Sequence, residues 1–200
     1  PEALTEMEIL REMQSMAAEN VQPGEYASFL GAGAYCHFIP AVVDMVISRN
    51  EFYTAYTPYQ PEISQGTLQA TFEYQSMASA LTGMYAANAS HYDGATAAAE
   101  AVIMAVNQFR LKRRKVLISP TAHPQYREVA RTYTQGMGLN LTGDAIEDTD
   151  FHALVAMCDG DTALVLVQNP DFLGQLHSPA EMQHLADHVQ DAPAIVFFLQ

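Results

Sequence analysis

The chain has 200 residues and a mass of 21.9 kDa, enough to bury a core without staples, with a folded surface of roughly 9,000 Å² if it were a compact monomer. Its 23 Asp and Glu against 9 Lys and Arg leave a net charge of -14, which repels polyanions and argues against nucleic acid or an acidic membrane surface as a partner. Hydrophobic residues at 49% and charged residues at 16% describe a globular chain with extensive buried surface, a subunit interface included, and the two distant cysteines, Cys36 and Cys158, support neither a disulfide framework nor a metal knuckle.

In chain order, residues 4–20 place Leu10, Met13 and Ala17 at helical spacing beside Ile9 and Met16, which predicts a helix. Pro23-Gly24 breaks it. A short helix is expected from Pro40 at a first helical position to Arg49. Residues 54–66 hold two prolines, two tyrosines and a glycine, the composition of a firm loop. Residues 67–82 carry Leu68, Phe72, Tyr74, Met77, Ala78 and Leu81 around most of a helical circumference before Gly83, so a helix buried on more than one side is expected. Asp93-Gly94-Ala95-Thr96 reads as a helix start before an alanine-rich run to Arg110.

Beyond it the pattern alternates. Strands are expected at 115–119, 139–141 and 162–167 and from about Ala194, with helices at 123–135, 150–157 and from Ser178-Pro179-Ala180-Glu181, a capping box whose helix carries a stripe of Met182, Leu185, Ala186 and Val189. That order argues for an α/β fold with a mostly parallel sheet flanked by crossover helices. The chain divides into an N-terminal helical and loop segment, 1–66, and a partial α/β large domain, 67–200. No run of 18 apolar residues exists, and the start is acidic and amphipathic, so secretion and membrane insertion are not indicated and a cytoplasmic location is expected. The chain lacks an initiating Met and stops inside the apolar run 194–199, and it is read as cut from something longer.

Several motifs reduce to structure. Gly31-Ala32-Gly33 lacks a preceding strand and has Cys36 where a dinucleotide fingerprint needs its third glycine. His184 and His188 have metal-clamp spacing but lie opposite the apolar stripe, so a solvated face is preferred and no metal is assigned. The basic run 110–115 is explained by a helix C-terminus and solvation. Cys36 and His37 adjoin and do not face one way on a regular element, so they make no nucleophile pair.

More specific are YTAYTPYQPEISQG at 53–66 and ANASHYDGATAAAE at 87–100, with Gly31, Gly33, His37, Pro40, His123-Pro124 and QNPDFLG at 168–174. Through these residues, over essentially its whole length, the chain resembles the P-protein of the glycine cleavage system, glycine dehydrogenase (decarboxylating), and within it the subunit 1 branch of the two-subunit form. It departs at Asp171, where the family pattern has Asn, and at His91, usually apolar. The resemblance implies the type I pyridoxal-phosphate-dependent transferase fold, of which part of the large domain is present. It also implies a subunit 1 without catalytic residues or cofactor of its own, which completes an active site on subunit 2. Subunit 2 would hold pyridoxal phosphate, and lipoylated H-protein would receive the aminomethyl group left when glycine is decarboxylated.

The residues read the same way. Pyridoxal phosphate needs an anion cradle, a ring stack and an imine lysine. Asp93, Gly94 and Thr96 stand where the phosphate loop would be, but Asp93 is placed to cap the helix amides and its charge repels phosphate, so the capping reading is preferred. His123, in Ser119-Pro-Thr-Ala-His123, is either a relic of the stacking histidine or a structural histidine in a turn. Lys112 and Lys115 are the only lysines, and both lie in the solvated basic run, unsuited to a nucleophilic amine. Under the resemblance, Asp93, Gly94, Thr96 and His123 are read as vestigial positions of the cofactor site. The residues expected to line the partner's active site at the interface are Tyr56, Tyr59, Glu62, Ser64 and Gln65, polar groups on a proline-stiffened loop. Two alternatives stand beside this: a non-enzymatic acidic α/β scaffold, or a complete pyridoxal enzyme whose lysine lies beyond residue 200.

Overall fold

A computed structural model describes residues 3–22, 24–29, 31, 37–145, 151–191 and 195–199, with backbone alone for 151, 188–191 and 195–199. Pro23, Gly33, Cys36, Asp150 and Ala194, and the side chains of His188 and Val189, lie outside what is described. The chain gathers into two units, Pro1–Ile39 and Pro40–Gln200.

In the first unit, α1 (Glu6–Ala18) is started by a capping box in which the Thr5 amide donates to Glu8 Oε2 at 2.8 Å and the Glu8 amide to Thr5 Oγ1 at 3.4 Å. In the second, α2 (Ala41–Ile47) has Pro40 as its N-cap rather than its first helical residue, and α3 (Asn50–Tyr53) is a single turn. The loop is shorter than expected: α4 (Gln65–Thr82) already contains Gln65 and Gly66, and it ends at Gly83, whose φ of 73° supplies the left-handed C-cap. Gln75 Nε2 donates to the Ala87 carbonyl at 2.6 Å and folds the following chain back along α4.

Burial on more than one side of α4 is not observed: it has no buried residue. Its apolar residues encircle it, and among them Leu68 and Ala78 are half-buried while Phe72, Tyr74, Met77 and Leu81 stay exposed. Among the described residues burial begins only at Ala95.

From α5 (Gly94–Gln108) onward the chain builds a core. The strands β1 (Lys115–Ile118), β2 (Asn140–Thr142), β3 (Thr162–Gln168) and β4 (Ile195–Leu199) form one parallel sheet in the order β2-β1-β3-β4. The helices α6 (Pro124–Thr134), α7 (Phe151–Ala156) and α8 (Pro179–Asp191) alternate with them. Successive strand residues point to opposite faces. Val116, Ile118, Leu164 and Leu166 pack with Ala98, Val102, Ala105 and Val106 of α5 and Ala130 of α6. Leu117, Val165 and Val167 pack with Leu154 and Val155 of α7 and Leu185 of α8. Both faces of β3 are covered, which is why its sequence is continuously apolar. Each such side chain contributes about 1.5–3 kcal/mol on burial, and the alanines of α5 let its backbone approach the sheet.

The basic run is structural. Arg113 lies over the Phe109 ring at 4.5 Å and donates to the Thr162 carbonyl, and Lys115 Nζ donates to Met157 O at 2.5 Å and Asp159 Oδ2 at 2.7 Å. These bonds close the N-terminal edge of the sheet.

Candidate functional site

Parallel α/β sheets present ligands at the C-terminal ends of their strands, and the four positions read as vestigial gather there or beside it. Asp93 is the N-cap of α5. Its Oδ1 accepts the Thr96 amide at 2.7 Å and the Thr96 hydroxyl at 2.9 Å, while the Asp93 amide donates to Thr96 Oγ1 at 3.1 Å. The amide and hydroxyl of Thr96 hold the Asp93 carboxyl below the usual carboxylate range. A helix start closed by its own carboxylate offers little to a second anion.

His123 follows β1 and caps α6. Its Nδ1 accepts the Gln125 amide at 3.1 Å, and its own amide donates to Oε1 of Gln168, the last residue of β3, at 2.9 Å. Its ring is stacked on Tyr126 with centroids 5.0 Å apart and planes at 29°, and it meets Phe172 edge-on at 4.8 Å and 71°. A Cβ built on Gly94 would fall 2.5 Å from the Tyr126 hydroxyl and 2.8 Å from its Cζ, so Tyr126 fills the space from His123 to the start of α5.

The 168–174 motif holds Phe172 in place. Asp171 Oδ1 accepts the amides of Leu173 and Gln175 at 2.9 and 2.8 Å, and the Phe172 amide donates to the Thr121 carbonyl at 2.9 Å. The second carboxylate oxygen of Asp171 lies 3.8 Å from His177 Nε2, both side chains being buried. An Asn at 171 would accept the same two amides, so this departure leaves the loop intact. Phe172 lies in the 168–174 motif, whereas nothing in the sequence marks Tyr126 itself. The one signal was a glycine directly after a capping Asp, which marks a close approach by another group.

The second set of expected residues lies on the chain before and at the start of α4. Tyr56 and Tyr59 are 83% and 78% exposed, with ring centroids 6.3 Å apart. Glu62 and Gln65 are exposed and Ser64 is half-buried. The amides of Ile63 and Ser64 donate to the carbonyls of Gln60 and Pro61, turning the chain into α4, where Gln65 is the first helical residue.

As a test of fit for pyridoxal phosphate, the edge holds a carboxylate, Asp93, at the helix start that the resemblance pairs with the phosphate, and a phenol ring, Tyr126, on His123. The partly buried lysine, Lys115, is committed to Asp159 at the opposite edge. The residues present do not fit the cofactor.

The family model described as the glycine cleavage system P-protein matches residues 1–199. Among curated relatives, the probable glycine dehydrogenase (decarboxylating) subunit 1 of Moorella thermoacetica is 50% identical over 93% of this chain and 41% of its own length. The protein of the same description from Geobacillus kaustophilus is 54% identical over 87% of this chain and 39% of its own. The chain thus spans about two fifths of these relatives. A crystal structure of glycine decarboxylase (P-protein) of the glycine cleavage system, in inhibitor-bound form, superimposes with a TM-score of 0.82 at 41% identity, over 99% of this chain and 43% of that one. The α/β architecture with a parallel sheet is therefore that of the solved P-protein, as expected of the type I pyridoxal-phosphate enzymes, and the chain belongs to the glycine cleavage system P-protein family.

Proposed function

We propose that this chain is the part of glycine decarboxylase subunit 1 that faces subunit 2 and completes its active site, without carrying catalytic residues or cofactor itself. In this reading subunit 2 holds pyridoxal phosphate, the cytoplasmic heteromer decarboxylates glycine, and the aminomethyl group passes to the lipoyl arm of H-protein. The expected division at 66/67 falls inside α4, so the facing loop and the start of that helix belong to one surface in this reading.

The observation that carries this reading is the surface of residues 40–92. None of them is buried, Ile63, Phe72 and Leu81 are 81%, 67% and 87% exposed, and Asp44, Arg49, Glu51, Glu62 and Glu73 are the only charged residues in the segment. Exposed aromatic and aliphatic surface with so few charges is the composition of an interface core rather than of a solvated face. Tyr56, Tyr59, Glu62, Ser64 and Gln65 are the polar residues of this surface that suit contact with a substrate.

The test is glycine–bicarbonate exchange by the full heteromer. Glu62→Ala and Gln65→Ala should each assemble normally and lower kcat/KM by about 10-fold or more, equivalent to about 1.4 kcal/mol of transition-state stabilisation. Tyr59→Phe, which keeps the ring and removes the hydroxyl, should lose less. If all three assemble and turn over like the parent, the loop is a connector and lines no site. The closed C-terminal edge also suits a non-enzymatic acidic scaffold. A full-length chain that neither binds subunit 2 nor restores exchange would establish that reading instead.

A further inference from the structure

We propose that Tyr126 is the resident occupant of the cofactor position in this chain, so that pyridoxal phosphate is refused by a site already filled as well as for want of a lysine. The inference rests on the reading of the chain as the subunit that carries no cofactor. It adds how the fold enforces that role.

Each thing a pyridoxal phosphate would require at this edge is taken by a group of the chain itself. The amide of Thr96 in the first turn of α5 donates to Asp93 at 2.7 Å. The ring-stacking partner, His123, has the Tyr126 ring on it at 5.0 Å and 29°, within the range of an offset aromatic stack. The clearance at the helix start, where Gly94 leaves room for a close approach, is used by the Tyr126 hydroxyl, 2.5 Å from where a Cβ would stand. Phe172 closes on the same histidine edge-on, held by the Asp171 turn and by its amide bond to Thr121. A phenol is a good substitute for the cofactor ring: a flat six-membered aromatic with one polar end, directed at the helix start. Because Tyr126 sits on the first turn of α6 and His123 caps that helix, the occupant and its stack are fixed by one element and do not depend on a ligand for order.

The probe is pyridoxine 5′-phosphate, which has the ring and the phosphate but no aldehyde and therefore forms no lysine adduct. The natural full-length protein, titrated by calorimetry, should show no saturable binding. The double substitution Asp93→Ser with Tyr126→Ala keeps a capping side chain while removing the charge and the occupant. It should gain one-to-one binding at least about 10-fold tighter than any residual binding by the parent. Asp93→Ser with Tyr126→Phe, which retains the ring, should not gain it. A folded double variant with no gain overturns the occupancy. If that variant does not fold, Gly94→Ala alone decides: its Cβ must displace Tyr126, so its melting temperature should fall below the parent's, and an unchanged melt overturns the proposal. Failure of the underlying reading has a different signature, stoichiometric pyridoxal phosphate on the parent that borohydride fixes to a lysine.

Discussion

Leu166 and Phe72 are both large apolar side chains on regular elements, yet Leu166, in β3, is 1% exposed and Phe72, on α4, is 67% exposed. Around Leu166 the chain supplies its own partners, α5 on one face of the sheet and α7 and α8 on the other. Around Phe72 the described residues supply little: α4, which ends at Gly83, is half-buried only at positions such as Leu68, Gln75 and Ala78, although most helical stability comes from packing. The two regions teach that an apolar pattern specifies a buried face without specifying whose surface buries it. For the sheet strands β1 and β3 the answer is the same chain, and for residues 40–92 it is, in the reading proposed above, subunit 2.

The sharpest way to break this contrast is to truncate both side chains. Leu166→Ala should destabilise the protein by about 2–5 kcal/mol in chemical denaturation, the cost of a cavity in a close-packed core. Phe72→Ala, measured without subunit 2, should stay within about 0.5 kcal/mol of the parent, while weakening association with subunit 2 by about 10-fold, roughly 1.4 kcal/mol. Equal costs in the free chain would erase the distinction. Within the packed region, Gly143→Ala should cost about 1–3 kcal/mol, because φ there is 99° and a Cβ would lie 2.9 Å from the Ile118 carbonyl oxygen. Unfolding curves compared with those of Gly136→Ala, where nothing stands within 4 Å, isolate the effect.

The smallest expected effect lies at the boundary of the two regions. Since the Asp93 carboxyl is held below its usual range by Thr96, its contribution to stability is fully present above about pH 4 and is lost as pH falls through its lowered folded value. Asp93→Asn, which still offers an oxygen to the Thr96 amide, should flatten the decline in melting temperature between about pH 5 and pH 2. An identical decline in parent and variant would remove Asp93 from the acid response.

What was legible in the sequence follows the same division. The strands β1 and β3 were visible as short apolar runs because both faces are buried by the chain's own helices, and the start of α5 was visible because Asp93 and Thr96 act through bonds three residues apart. The burial of α4 was misjudged because the helical periodicity of Phe72, Tyr74, Met77 and Leu81 carries no information about where the covering surface resides. The role of Tyr126 is not legible in the sequence because Gly94, the residue its hydroxyl approaches, is 32 residues away, joined to it only by the folding of the sheet edge. Asp171, by contrast, acts locally: an Asp accepting amides two and four residues on is the ordinary chemistry of a turn. The helix α1 was expected from its apolar spacing alone, and its start at Thr5 and Glu8, a capping box, is a signal that expectation did not use.

The hydrogen bond from Gln75 to the Ala87 carbonyl bears on how fast a partner is captured. By returning the chain after Gly83 along α4, it fixes the two strips of exposed side chains relative to one another before any encounter. A surface arranged in advance loses less conformational freedom on docking than a segment that must fold as it binds. Capture then proceeds as the meeting of two shaped bodies, with rate constants on the order of 10⁵–10⁷ M⁻¹s⁻¹. With few charges in residues 40–92, the contact itself gives salt little to screen, and the salt dependence of the encounter comes from the net charge of -14 on the chain.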